Sequence, residues 1–389
     1  MNYVTTQNKT PSTGAAPELL NRLFHQAGVT INGQQPWDIQ IIHSKAYRDI
    51  LMKWSLGLGE SYMNHDWECR SIDNLICKLL DANLDEQVKG FARIPIAWHT
   101  IKSRLVNLQS IGRAFQVAEQ HYDIGNDLFE RMLDPLMMYS CGYWQYATTL
   151  EQAQRDKLEM ICQKLELKPH DTLLEVGCGW GGLAYYAAKH YGVKVLGITV
   201  SKEQKKIAEE RCQGLPVTIE LMDYRELNGQ FDKIVSVGMF EHVGLKNYQD
   251  FFTIIKRSLK DSGLFLLHTI GNADSSRGTD PWINRYIFPN GKIPSALDIV
   301  KNIEGKFLVE DWHNFGHDYD RTLMAWHQQF NDHWPEIKSR YDDRFYRMWN
   351  YYLLSCAGYF RSRYGQLWQI ILTTRHRRQD YRSVRLQHQ

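Results

Sequence analysis

The chain has 389 residues, 43% of them hydrophobic and 23% charged, which is length and apolar content for about two or three domains with substantial cores. Its 46 Lys and Arg against 44 Asp and Glu leave a formal charge of only +2, which sets aside a general nucleic-acid binder and moves any electrostatic partner to local patches. Seven scattered cysteines without C-x-x-C spacing read as free thiols in a reducing, cytoplasmic setting, and no apolar run approaches the roughly 20 residues that span a bilayer.

In chain order, residues 1–16 are polar and small, with no apolar h-region, and are expected to form a disordered leader rather than a signal peptide. A small, mainly helical N-terminal domain follows over 17–88. Leu19, Leu20, Leu23 and Phe24 mark a helix, Asn32-Gly33 before an apolar run over 38–42 signals a hairpin, and 45–53 and 71–81 read as helices. Within 89–118, Lys89, Arg93, Lys102, Arg104 and Arg113 stand without an acid, while Ile94, Trp98, Ile101, Leu105, Leu108 and Phe115 recur at steps of four and three. That is a basic amphipathic helix, suited to anionic lipid or to an interdomain link.

From 119 to 374 strands and helices alternate. Strands are expected at 172–176, 193–200, 217–222, 233–237 and 264–268, with later ones at 307–311 and 366–372, and helices at 183–190, 202–213 and 247–260 between them. The pattern is a doubly wound, Rossmann-like α/β domain with a parallel sheet. A long stretch over 271–321, containing Pro281, Pro289 and Pro294, interrupts it and is expected to cover the acceptor pocket. The tail over 375–389 is basic without apolar anchors, and is expected to assist at a membrane or to be loose.

The first strand opens onto Glu175-Val176-Gly177-Cys178-Gly179-Trp180-Gly181-Gly182, a strand-turn-helix joint whose glycines permit a tight turn and close approach of a ligand. Gly177, Gly179 and Gly182 match G-x-G-x-x-G, but a nicotinamide site needs an acid about 20 residues on. The second strand ends instead in Thr199-Val200-Ser201, with Glu175 before the turn and Asp223 after the third strand, where an adenine or ribose edge would lie. The balance favours S-adenosylmethionine over NAD. At the carboxyl ends of the next strands lie Glu241, His242 and His268, with Tyr319 downstream and Cys141 upstream. Each alone also suits core packing or a cap, and neither H-E-x-x-H nor a cysteine cluster argues for a metal.

Longer stretches carry more. Gly57 through Met63, His121 through Phe129, Tyr139-Ser140-Cys141, Glu175 through Gly182, Ser236 through Gly244, Leu266 through Gly271, Asp280 through Gly291 and Glu310 through Gly316 resemble the cyclopropane-fatty-acyl-phospholipid and mycolic acid synthase family over nearly the whole chain. The resemblance implies a class I methyltransferase fold and methylene transfer from S-adenosylmethionine to a cis double bond of a phospholipid acyl chain, closing a cyclopropane ring. It implies a homodimer at the inner face of the cell membrane. It also implies a bicarbonate site of Cys141, Glu241, His268, the backbone at Ile270, and Tyr319, and a cofactor site of Tyr139, Ser140, Glu175, Gly177, Gly179, Thr199, Gln204 and Asp223. Trp54, Asn64-His65 and Gly142 depart mildly from the family, and the tail after Thr373 does not resemble it. A plain C-methyltransferase on another lipid or small molecule, or a lipid-binding protein that keeps only the fold, are the rival readings.

Overall fold

The computed structural model describes residues 14–84, 125–275 and 279–385. The expected leader up to residue 13, the basic helix over 89–118 and the start of the His121 motif lie outside the described residues.

The sheet comprises β3 (Thr172–Val176), β4 (Lys194–Thr199), β5 (Val217–Leu221), β6 (Phe231–Val237), β7 (Leu259–Asn272), β8 (Leu308–Asn314) and β9 (Gly365–Thr373), in the order β5-β4-β3-β6-β7-β9-β8. β3 pairs in parallel with β4 and β6, and after Thr172 all of its residues are buried, as expected of a strand covered on both faces. β9 is the departure from an all-parallel sheet: it pairs antiparallel with both β7 and β8. Strand direction is set by the path of the connection and leaves no mark in composition. β9 enters the sheet from a long helical hairpin, α12 (His317–Ile337) and α13 (Asp343–Arg361), rather than from a crossover helix.

The topological switch lies at β3, with β4 to one side and β6 to the other, so the carboxyl ends of these strands open a crevice. α7 (Gly182–Tyr191) follows β3 directly. α8 (Lys202–Arg211) follows β4 and is capped by Ser201, whose hydroxyl accepts from Gln204 N. α9 (Tyr248–Ser258) stops two residues short of the expected end because Leu259 already pairs in β7.

The N-terminal region holds α1 (Ala15–Gln26), α2 (Lys45–Lys53), α3 (Ser55–Met63) and α4 (Ile72–Asp81), with β1 (Gln40–Ile41) and β2 (Trp67–Glu68). The expected hairpin at Asn32-Gly33 is not formed. Asn32 sits at φ +59° and its side chain accepts from Ile41 N, while β1 pairs with the distant β2. The region also does not close a core of its own. Leu20, Phe24, Trp67 and Leu75 belong to one apolar cluster with Trp326, Trp349 and Leu353 of α12 and α13. Gly59 of α3 faces Trp282 so closely that a Cβ would stand 2.3 Å from its ring. That contact lays the N-terminal region against α10 (Pro281–Tyr286), where Glu60 accepts from the Tyr286 hydroxyl at 3.0 Å and pairs with Arg285.

The stretch over 271–321 is not one cover. Its described part contains the end of β7, α10, α11 (Ala296–Ile303), β8 and the first turn of α12. The tail is held: Arg377 pairs with Glu166 at 2.8 Å, Arg385 pairs with Asp311 at 2.7 Å, and Tyr381 packs against a core cluster. The anchors that composition did not suggest are one tyrosine and the acids Glu166 and Asp311. Among the described residues no helix is long and apolar enough to cross a membrane.

Candidate active site

At the ends of β3, β4, β5 and β6 the crevice widens into a cleft of about 1420 Å³ counting its open mouth. All eight expected cofactor residues line it: Tyr139, Ser140, Glu175, Gly177, Gly179, Thr199, Gln204 and Asp223. Gly177 stands at φ +85° and Gly179 at φ +52°, conformations costly for any residue with a Cβ. The reasons differ beyond φ. A Cβ on Gly177 would lie 2.8 Å from Met239, whereas nothing lies within 4 Å of one on Gly179, which faces the open cleft. The Thr199 hydroxyl donates to Gln204 Oε1 at 2.8 Å, which turns the amide nitrogen of Gln204 away from Thr199. Asp223 lines the cleft with both oxygens engaged by Arg225, at 2.7 and 2.8 Å.

Glu175 forms part of the lining and is almost wholly buried; its Oε2 has no hydrogen-bond partner. Burial pushes its carboxyl up to about 8, against the opposing pull of Lys157 and the Ala184 amide. A buried acceptor left open at the rim of a glycine turn, beside an unobstructed Gly179, fits an S-adenosyl group carrying an ammonium. Pro289 and Asn290, between α10 and α11, also line the cleft.

Beside the cleft lies a second, drier group of side chains. Cys141, Tyr143, Met160, Phe315 and Leu367 form a small buried cluster against which Ile270 and Tyr319 pack. Glu241, in the short turn after β6, accepts the Ile270 amide at 2.7 Å through Oε1, while its Oε2 is buried without a partner. Burial pushes that carboxyl from 4.5 up to about 7. His268 on β7 sits 5.9 Å from the Phe315 ring, centre to centre. Gln369 Nε2 lies 3.2 Å from its Nδ1, and its Nε2 is buried and unpartnered. With Gln369 donating to Nδ1, the ring proton stands on Nε2. Burial, with Lys157 and Lys164 near, holds the imidazole neutral. The Cys141 thiol and the Tyr319 hydroxyl are both pushed well up by burial, so each keeps its proton.

The structure thus brings Cys141, Glu241, His268, Ile270 and Tyr319 into one buried cluster. Its wall toward the cleft is shared, because Ser140 and His242, chain neighbours of Cys141 and Glu241, line the cleft. The Ile270 amide, expected to face an anion, is spent on Glu241. Phe315 packs edge-on to Tyr143 at 5.5 Å, and Tyr319 stacks on Phe360 at 4.4 Å and meets Trp326 edge-on. Tyr139 lies 5.2 Å from Trp326, and its hydroxyl bonds that of Tyr352 at 2.8 Å, which extends an aromatic wall from one space to the other.

Three groups escaped the sequence reading. Thr322 of α12 accepts from the Gly142 amide at 3.0 Å and from the Trp144 ring at 2.8 Å, pinning the Cys141 segment. Gln369 lies in β9, and Lys157 lies wholly buried in α6 (Leu150–Lys164). Lys157 left a signal: it occupies the stripe of Leu150, Ala153, Gln154, Leu158 and Ile161, where an apolar residue belongs. Thr322 and Gln369 left none.

Comparison with known proteins agrees with the fold. Residues 109–370 match the family model of mycolic acid cyclopropane synthetase. The cyclopropane-fatty-acyl-phospholipid synthase of Escherichia coli (strain K12) is 54% identical over 355 residues, covering 91% of this chain and 92% of that protein. A solved structure of the mycolic acid cyclopropane synthase CmaA1, complexed with SAH and CTAB, superposes with a TM-score of 0.62 at 30% identity over 66% of this chain and 97% of its own. Coclaurine N-methyltransferase, at 21% identity and a TM-score of 0.67 over 82% of this chain and 99% of its own, shares the fold.

Proposed function

Because the chain belongs to the mycolic acid cyclopropane synthetase family and is an S-adenosylmethionine-dependent methyltransferase, we propose that it closes cyclopropane rings on cis double bonds of phospholipid acyl chains, with bicarbonate as the base. When bound, S-adenosylmethionine supplies an electrophilic methyl group, and bicarbonate supplies a base that is not itself a strong nucleophile.

The observation that supports the reading is the pair of buried, unpartnered atoms, Glu241 Oε2 and His268 Nε2, with Glu241 next in sequence to His242 of the cofactor cleft. A polar atom buried without a partner costs on the order of 1–3 kcal/mol, and such a cost persists where a ligand completes the hydrogen bonds. His268 through Nε2–H and the Tyr319 hydroxyl act as donors, the Glu241 carboxylate accepts the ligand's own proton, and Cys141, whose thiol donates to the Gly142 carbonyl at 3.1 Å, closes one side. That set suits a small oxyanion with one acidic hydrogen. Since the thiol and phenol keep their protons, neither traps an electron-poor carbon. The dry walls keep water from doing so. The faces of Tyr319 and neighbouring rings stabilise positive charge on the acyl chain, worth about 2 kcal/mol when desolvated.

Peripheral binding to the inner membrane surface and a homodimer belong to the same proposal. Their support is the family resemblance and, for the membrane, the basic sequence over 89–118. The test is incubation with unsaturated phospholipid vesicles and labelled S-adenosylmethionine, with and without bicarbonate, followed by mass spectrometry. Cyclopropane product that falls sharply when bicarbonate is removed is expected. A methyl-branched alkene, or turnover indifferent to bicarbonate, overturns the reading.

A further inference from the structure

Beneath the wall that the two spaces share lies Lys157, with no exposed surface. Its Nζ donates to Ser140 Oγ at 2.9 Å, and among the described residues no carboxylate lies within ion-pair distance of it. The other fully buried lysine of the same helix, Lys164, differs: it has Asp311 at 3.7 Å and His313 Nδ1 at 3.0 Å. A buried ammonium without a contacting anion is expensive and is retained where its charge is used at longer range. The groups that face it come from every surrounding element. They are Asp134 before the Tyr139 segment, Cys141 within it, Glu175 on β3 and His268 on β7. Glu175 in turn is faced by Cys162 of α6, Cys178 of the glycine turn and Cys212 after α8, none of which supplies a positive charge.

We propose that Lys157 is a positioning residue common to both spaces: it holds Ser140 under the cleft and supplies the one buried positive charge that keeps Glu175 available as a carboxylate for the cofactor's ammonium. The inference rests on the reading of the cleft as an S-adenosylmethionine site. Burial lowers Lys157 and raises Glu175, and the charge of each opposes the shift of the other. A bound cation at Glu175 favours its ionised form. Binding therefore expels a proton below about pH 8, and affinity falls as the pH is lowered.

The experiment is calorimetric binding of S-adenosylhomocysteine, which keeps the ammonium, to the full chain between pH 6 and 9 in buffers of differing ionisation enthalpy. The comparison proteins are Lys157→Met, Glu175→Gln and the double variant. For the unaltered protein, proton release below pH 8 is expected. Lys157→Met should weaken binding by about tenfold or more at pH 7 and steepen the pH dependence, one pK unit being a tenfold effect. In the Glu175→Gln background the same substitution should cost much less, because the charge it removes no longer has a carboxylate to serve. Equal losses in both backgrounds, or a folded Lys157→Met protein with unchanged affinity and pH profile, overturn the inference. Should Lys157→Met fail to fold, the unaltered protein still decides: binding with no proton exchange across this range refutes it. Failure of the underlying reading is distinct, since the unaltered protein would then not bind S-adenosylhomocysteine at all.

Discussion

Gly177 and Gly179 serve the cofactor cleft through backbone alone, whereas Glu241 and His268 serve the neighbouring cluster through side chains whose outer atoms are buried without a partner. The cleft is open and its lining comes largely from consecutive residues at strand ends. The neighbouring cluster is buried and draws on the Cys141 segment, the turn after β6, β7, α12 and β9. A site that grips a ligand with backbone shape tolerates water. Where side chains are sealed from water, their protonation states follow from desolvation.

The sharpest division between the two regions comes from Glu241→Gln. It keeps the acceptor for the Ile270 amide but loses the charge, so ring-forming turnover should fall by about 10²–10⁴-fold while S-adenosylhomocysteine affinity stays put. Loss of both together, measured by product mass spectrometry and calorimetry, would merge the two regions into one. The second test is pH. With Glu241 raised from 4.5 to about 7, turnover should climb about tenfold per unit up to about pH 7 and then level off. Stability moves the other way. The folded carboxyl holds its proton more tightly than the unfolded one, so this contribution is full below 4.5 and is lost as pH rises through about 7. Denaturant titrations should show a shallower fall over that window for Glu241→Gln.

Smaller effects probe the cleft. Gly177→Ala, at φ +85° and pressed on Met239, should cost about 1–3 kcal/mol of stability and weaken cofactor binding. Gly179→Ala, with no protein atom to meet, should unfold less readily than Gly177→Ala yet still weaken binding, because its Cβ enters the ligand's space. The smallest change belongs to neither region. Arg385→Ala removes an ion pair whose arginine is about a third exposed, and should alter stability by about 0.2–1 kcal/mol with turnover unchanged.

The glycine turn, Glu175 and Asp223 were legible because each falls at a strand end predictable from local pattern, and strand ends converge in this fold, whereas Tyr139, Ser140, Thr199 and Gln204 were implied by the family resemblance. Cys141, Glu241, His268, Ile270 and Tyr319 were legible only as a family resemblance, since each alone is an ordinary core or cap residue. Lys157 showed as a charge on an apolar stripe, whose purpose depends on what stands opposite. The hairpin at Asn32-Gly33 failed because turn chemistry permits a reversal without choosing the strand that follows, and the distant Trp67–Glu68 was the better partner.

By itself the sequence determined the alternation of strands and helices and the turn at the first strand end, consequences of local periodicity and backbone freedom, and the free thiols, a consequence of cysteine number and spacing. Only the tertiary structure decided that β9 runs against its neighbours, that the N-terminal helices share a core with α12 and α13, and that the tail is tied to Asp311 and Glu166. It alone also left Glu241 Oε2 and His268 Nε2 dry and unpaired, because desolvation is a property of everything packed around an atom and of no residue taken singly.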